Sequence, residues 1–234
     1  MKPAFAAALF TCAALLLVVP QPSQAGDDFK LEPGFTSLFN GKDLTGWRYY
    51  KEMLDGKTAT ADQRFTIVDG IIVANEGKGI KDLYTVAEFA KDFQLKLEFR
   101  AALKADSGVY VRGPQLQVRD YLRRGEQKQL KNFQNDGWNE LNITVRGKQA
   151  TVNGKLLTAK DSLDITVKDG SPSAQLNGKP LDLGNVQLSI GSVAHCLCNG
   201  EFLEDMKVPA KGGIGLQAET GKFEFRRIRI KELP

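Results

Sequence analysis

Apolar and polar residues alternate with period two along most of this chain, the pattern that gives a β-strand one apolar and one polar face. Phe93, Leu95, Leu97 and Phe99 alternate with Gln94, Lys96, Glu98 and Arg100. Leu141, Ile143 and Val145 alternate with Glu140, Asn142, Thr144 and Arg146. Val186, Leu188 and Ile190 repeat the pattern, as do Ile214, Leu216 and Ala218. Residues 65–68, 71–74, 107–112, 115–119 and 222–231 are further strands on the same reading. In the last of these, Phe223 and Phe225 have one parity and Ile228 and Ile230 the other, which predicts a β-bulge at Arg226-Arg227. Helical periodicity is confined to two short stretches, 87–92 and 126–133.

Turn chemistry divides the strands. Asp69-Gly70, Asn153-Gly154 and Asn177-Gly178 fit two-residue hairpin loops, and Asn40-Gly41-Lys42 repeats the triplet. Many short strands with frequent turns and no βαβ rhythm predict an all-β protein, a two-sheet antiparallel sandwich or jelly roll.

The first segment is different. Ala4 to Val19 is uncharged and apolar, Pro20 to Ser23 break the run, and Ser23-Gln24-Ala25 offers small residues for cleavage. This is the pattern of a secretory signal peptide over residues 1–25, and it is short of the roughly 20 residues that span a bilayer. The expectation is one domain over residues 26–234, in the periplasm or secreted, with no transmembrane segment in the mature chain. Cleavage would lower the formal net charge of +4 by one, through loss of Lys2. That weak charge, with acids and bases mixed, argues against nucleic acid as a partner. The basic stretch 119–131 is interrupted by Asp120 and Glu126 and reads as a solvated loop. Beyond the leader only Cys196 and Cys198 remain, so a disulfide scaffold is excluded and an apolar core must carry the fold. His195 beside them suggests a metal site, but the spacing is not that of a zinc motif, and a loop is the expectation.

Polar residues of several strands share a parity: Tyr110 and Arg112; Gln115, Gln117 and Arg119; Trp138, Glu140 and Asn142; Gln217 and Glu219. On neighbouring strands they would form a patch of amides, charges and rings suited to sugar hydroxyls and ring faces, although any sandwich also has a solvated face. No nucleophile elbow or phosphate loop is present, and the single histidine leaves a Ser-His-Asp triad without support. Asp106, Asp120 and Glu219 remain as proton carriers.

The segment Gly34-Phe35-Thr36-Ser37-Leu38-Phe39-Asn40-Gly41-Lys42-Asp43-Leu44-Thr45-Gly46-Trp47 closely resembles the opening of the 3-keto-disaccharide hydrolase domain family. Matching segments follow in order: residues 93–100, Asp106 to Arg112, Gln115 to Asp120, Trp138-Asn139, and Gly213-Ile214-Gly215-Leu216-Gln217 through Arg226-Arg227-Ile228. The resemblance implies a concanavalin A-like jelly roll with a carbohydrate site on its concave sheet, and cleavage of 3-keto-glycosides by C2 proton abstraction, elimination and hydration. It implies Arg112 as electrostatic stabiliser and Asp120 as first base, with Asp106 and Glu219 behind it. Gln117 and Trp138 would hold the sugar, joined by Asp106, Tyr110, Gln115 and Gln217. No cofactor is evident. The resemblance leaves room for a divalent metal, for which the sequence shows no clear site. Departures are specific: Asp106 replaces an Asn, Gln115 a Glu, Arg227 an Asn, and a histidine expected after Leu216-Gln217 is missing. These keep open the alternative of a non-catalytic carbohydrate-binding module of the same fold.

Overall fold

Strand formation follows the period-two pattern closely in the computed structural model, which describes residues 29–153, 155–158 and 160–234. The expected signal peptide and Gly154 lie outside the described residues. The first strands are β1 (Thr36–Ser37), β2 (Trp47–Tyr49), β3 (Glu52–Met53), β4 (Phe65–Val68), β5 (Ile71–Ala74) and β6 (Lys81–Thr85). Then come β7 (Phe93–Ala101), β8 (Asp106–Val111), β9 (Gln115–Arg119), the one-turn helix α1 (Tyr121–Arg124) and β10 (Asn139–Val152). The remainder are β11 (Lys155–Leu156), β12 (Leu163–Lys168), β13 (Ser171–Leu176), β14 (Lys179–Leu181), β15 (Leu188–Cys198), β16 (Glu201–Val208), β17 (Ile214–Ala218) and β18 (Phe223–Glu232).

Among the described residues these strands make three antiparallel sheets. A nine-stranded sheet runs β16-β15-β10-β7-β18-β5-β4, with β1 paired to β18 and β11 to β10. A six-stranded sheet runs β3-β2-β6-β17-β8-β9, and β12-β13-β14 form a separate three-stranded sheet. The two larger sheets bury one common core. The nine-stranded sheet contributes Leu95, Leu97, Phe99, Leu141, Ile143, Phe223 and Phe225 to it, and the six-stranded sheet contributes Trp47, Leu83, Val109, Leu116, Val118 and Leu216. Each such side chain, removed from water, stabilises the fold by about 1.5–3 kcal/mol before entropy is counted. The architecture is the two-sheet antiparallel sandwich expected.

The parity fault in β18 is accommodated by a bulge. Against β7 the register shifts between Arg226 and Arg229: three steps on β18 (226 to 229) match two on β7 (98 to 96), and Arg227 has φ 52°. The extra residue lets Phe223, Phe225, Ile228 and Ile230 all face inward. Asp69-Gly70 and Asn177-Gly178 have positive φ at both positions, as a type I′ hairpin requires. Asn40-Gly41 does not make a hairpin: Asn40 Oδ1 accepts from the backbone N–H groups of Lys42 and Asp43 at 2.8 and 3.0 Å.

Neither expected helix forms. Around 87–92, Phe89 instead bridges Gly212 and the Thr85 hydroxyl donates to Ala87 O. Over 126–133, Leu130 and Phe133 pack into the core, and Tyr121 meets Phe133 edge-on at 5.5 Å. The stretch 119–131 is therefore partly a core element rather than a solvated loop, with α1 ended by Gly125 at φ 81°. The strand predicted at 186–190 begins at Leu188 and runs on through His195 to Cys198, where a loop was expected. Its apolar start does not face the core. Leu188 and Ile190 lie beyond a register shift between Arg146 and Gln149 of β10 and, with Leu157 and Leu163, line an open groove of about 300 Å³.

Candidate functional site

The outer face of the six-stranded sheet gathers most of the polar residues singled out by parity. Leu83 and Thr85 of β6 turn inward, so Asp82 and Tyr84 turn outward; Leu216 of β17 is inward, so Gly215 and Gln217 are outward. On β8 the outward residues are Asp106, Gly108 and Tyr110, and on β9 they are Gln115, Gln117 and Arg119. Cross-strand register then builds a row. Arg48 of β2 lies opposite Tyr84, Tyr84 opposite Gly215, Gly215 opposite Tyr110, and Tyr110 opposite Gln115.

Two glycines shape this row. A Cβ on Gly215 would stand 2.6 Å from Tyr84 and 3.0 Å from Tyr110. The missing side chain is what lets the two rings lean together, with centroids 5.2 Å apart. A Cβ on Gly108 would stand 1.9 Å from Gln115 Nε2, so Gln115 leans across a gap only glycine leaves. There its amide donates to Gln217 Oε1 at 2.7 Å, and Gln217 Nε2 donates to the Tyr110 hydroxyl at 2.8 Å. Arg48 lies over the Tyr84 ring at 5.1 Å.

Asp82 sits beside this chain of donors, opposite Gln217 in the β6–β17 register. Its Oδ1 is buried and has no hydrogen-bond partner among the described residues. Burial raises its pKa above the ordinary carboxylate value, and the nearby Tyr110 hydroxyl and Gln217 amide offset that only in part. Tyr110 is pushed up by burial and then by the charge of Asp82; Tyr84 is raised for the same two reasons.

One end of the face is an ion network. Asp106 Oδ1 accepts from Arg119 Nε at 2.9 Å and from Gln117, and its Oδ2 pairs with Arg124 at 3.1 Å. Glu126 joins Arg119 and Arg124, each at 3.0 Å. Asp106 is thus saturated with donors. Glu219 follows β17 with the parity of Gln217 and is half-buried.

Three expected site residues do not join this face. Arg112, at the end of β8 with φ 55°, is buried and donates to the backbone carbonyls of Lys91 and Pro209 at 2.5 and 3.3 Å. Its guanidinium tethers loops over Phe93 instead of facing a ligand. Asp120 shares the inward parity of Leu116 and Val118; it is fully buried, and its Oδ2 accepts from Lys104 N and Arg123 Nε at 2.7 and 2.6 Å. Trp138 leads into β10, so it belongs to the other sheet, clasped between Arg226 and Arg100 at 4.0 and 4.8 Å. A hollow of about 290 Å³ beside Arg100, lined also by Asp136, Lys222 and Glu224, lies on that opposite side of the sandwich. Trp138 shares the parity of Glu140 and Asn142, as predicted, but parity does not tell one sheet from the other.

The structure separates the His195-Cys-x-Cys group. His195 faces outward to Asp205 Oδ1 at 2.7 Å and stacks on Phe202, while Cys196 and Cys198 face the core. The sheet face also does not fit a divalent ion. Gln217 Oε1 is occupied by Gln115, the oxygens of Asp106 are held by two arginines and Gln117, and Asp82 has no second carboxylate beside it. No group of three or more His, Cys, Asp or Glu side chains able to hold a metal occurs among the described residues.

Asp82, Tyr84 and Arg48 were not singled out from the sequence. Their signal is the short alternation Asp82-Leu83-Tyr84-Thr85, preceded by a polar, glycine-containing stretch that hides the strand. Their importance depends on β6 lying beside β17, a pairing between segments more than 120 residues apart.

A family model described as a 3-keto-alpha-glucoside-1,2-lyase-like domain matches residues 34–231. A search of curated proteins finds no match. Among solved structures, a protein provisionally described as a glycosyl hydrolase, from Parabacteroides distasonis ATCC 8503, is 19% identical with a TM-score of 0.44, covering 86% of this chain and 94% of that one. The carbohydrate-binding module CBM66 from Bacillus subtilis is 10% identical with a TM-score of 0.34, covering 80% and 96%. A Bacillus licheniformis beta-glucanase is 8% identical with a TM-score of 0.37, covering 85% and 97%. No helix among the described residues is long and apolar enough to cross a membrane.

Proposed function

Because the chain belongs to the 3-keto-alpha-glucoside-1,2-lyase-like domain family, we propose that it is an exported enzyme, periplasmic or secreted, that cleaves glycosides oxidised at C3. The observation that carries this reading is the row of Tyr84, Tyr110, Gln115 and Gln217 on the outer face of the six-stranded sheet. Amides and phenols there match sugar hydroxyls, and the paired tyrosine rings offer an apolar surface to a pyranose. Asp106, Gln117 and Arg119 form the polar border of the same face.

The chemistry follows from the ketone. A carbonyl at C3 acidifies the C2 proton, so a positioned base can remove it. The enolate then expels the substituent at C1, and water adds across the C1–C2 double bond. Net, one glycoside and one water give a 3-keto sugar and an alcohol. A positioned base contributes about 10²–10⁴-fold to such a step, and donors aimed at the enolate oxygen stabilise the charge it develops.

The test is release of aglycone from a chromogenic 3-keto-glucoside. Wild type turns it over, and Gln217→Ala lowers kcat/KM by about 10- to 100-fold, because it removes the link between Gln115 and Tyr110. Failure of wild type to release aglycone from any 3-keto-glucoside rejects the reading. A second reading, a carbohydrate-binding module without turnover, is favoured by Gln115, an amide where the resemblance calls for a carboxylate. Binding of intact polysaccharide in calorimetric titration, with no product formed, would establish it.

A further inference from the structure

We propose that Asp82 is the general base of this site, with the Tyr110 hydroxyl as the donor that steadies the enolate oxygen. The inference rests on the 3-keto-glycoside reading and goes beyond it by assigning the proton-transfer residue.

Elimination among the carboxylates favours Asp82. Asp106 is neutralised by Arg119 and Arg124 and further bound by Gln117. Asp120 faces away from the site and is held by Lys104 N and Arg123. Glu219 stands past the end of β17, beyond Gln217 and four residues along the chain from Gly215, over which the Tyr84 and Tyr110 rings meet. Asp120 also has a buried oxygen, Oδ1, without a hydrogen-bond partner among the described residues, but on the core side; Asp82 has its own on the outer face, in the middle of the donor chain and next to both Gln217 and Tyr110.

The environment suits a base. The influences on Asp82 are burial and two neutral donors, with no cation pairing its charge. The charged and titratable groups of this face around it are Arg48 on β2 and Tyr50 just beyond it, Tyr84 on its own strand, Tyr110 on β8 and Glu219 beyond Gln217 on β17, while Lys81, its chain neighbour, has the opposite parity. Arg48 is engaged with the Tyr84 ring and Tyr50 O, and Lys81 with the Tyr50 hydroxyl. A carboxylate that is costly to keep charged, yet not cancelled by an ion pair, takes up a proton readily.

Tyr110 complements it. Its hydroxyl oxygen accepts from Gln217, which itself accepts from Gln115, and its one proton, directed at the Asp82 carboxylate in the resting site, is released to the enolate oxygen once Asp82 has taken up the C2 proton. In the reaction the C2–H bond breaks and its proton goes to the Asp82 carboxylate. The electron pair forms C2=C3, and O3 becomes the enolate oxygen, taking a hydrogen bond from Tyr110. As the C3 carbonyl reforms, C1=C2 forms and the C1–O bond breaks. The departing oxygen takes the proton from Asp82, which returns to the carboxylate. Water then supplies OH to C1 and H to C2.

The experiment is steady-state kinetics on a 3-keto-glucoside across pH with the full chain. Asp82→Asn lowers kcat at least about 100-fold while KM stays within about threefold and the melting temperature is kept. The acid limb of kcat/KM, which reports the free base, disappears in this variant. Asp82→Ala is equally slow, and added formate restores part of its rate. A wild type that is active alongside an Asp82→Asn variant retaining more than a tenth of its kcat, or an acid limb unchanged by the substitution, overturns the assignment while leaving the substrate reading intact. A wild type silent on every 3-keto-glucoside overturns both.

Discussion

Gly215 and Gly108 lie under the side chains of the candidate site, and they differ in what a methyl group would meet. At Gly215 the new carbon presses on two aromatic rings, Tyr84 and Tyr110, packed against each other. Gly215→Ala is therefore expected to cost about 1–3 kcal/mol of stability, read as a lower midpoint in urea, and to weaken sugar binding as well. At Gly108 the collision is with the far end of Gln115, a side chain that can swing away. Gly108→Ala should melt close to wild type while losing the Gln115–Gln217 hydrogen bond, lowering kcat/KM by roughly tenfold, about the worth of one good hydrogen bond. A Gly108→Ala protein as active as wild type would show that this amide pair does not serve the ligand. Residue parity made Tyr110, Gln115, Gln117 and Gln217 legible in the sequence, since each alternates with a core residue on its own strand. The same parity misplaced Trp138 and Arg112, because period two gives a face but not a sheet, and says nothing of a strand end where φ turns positive.

Strand β15 shows how an element decides the chemistry of its residues. Cys196 and Cys198 are two apart, so both point into the core, roughly 6.6 Å apart along the strand, too far for the short Cβ–Cβ approach of a disulfide. Both are free. Burial, followed by neighbouring acids, raises both thiols, Cys198 to about 12 and Cys196 further. The native protein should therefore resist a thiol-specific dye, and both thiols should react once guanidinium unfolds it; rapid labelling of either in the native state would contradict the inward placement. Long strands such as β7 were readable because nine residues of strict alternation leave no other assignment. Short strands were readable where turn residues framed them, as at β4 and β5 on either side of Asp69-Gly70, but not at β6, whose five residues follow a polar, glycine-containing stretch. The helical spacing at 87–92 and 126–133 came from apolar residues packing into the core without helix formation.

At the scale of the whole molecule, Arg229 of β18 ties distant parts of the nine-stranded side together. Its guanidinium is almost fully buried and meets Glu32 at 2.6 and 2.7 Å and Glu140 of β10 at 2.9 Å. The hydrogen bond from Arg229 lowers the Glu32 pKa from 4.5 to about 2. A depressed carboxylate lends stability that is full above its unfolded value and is lost as pH falls through the folded one. The window here is from pH 4.5 down to about 2. Because Glu32 is about one-third exposed, water screens the effect and holds it small. Glu32→Gln should lower the melting temperature by a few degrees near neutrality, and the gap should close as pH falls through that window; a gap that stays constant would mean the pair contributes no linked stability.

The strand order carries a consequence for how the chain is made. β17 is interior in the six-stranded sheet and β18 is interior in the nine-stranded sheet, yet both come from one short stretch, residues 214–232, that follows all the other strands. Synthesis delivers the amino end first, so β6 and β8 lack the strand between them, and β7 and β5 lack theirs, until β17 and β18 have been made. A chain without these two strands would hold split half-sheets with bare edges, the kind of surface that aggregates. Closure of both large sheets therefore waits on β17 and β18, which makes that one stretch the piece that completes the sandwich.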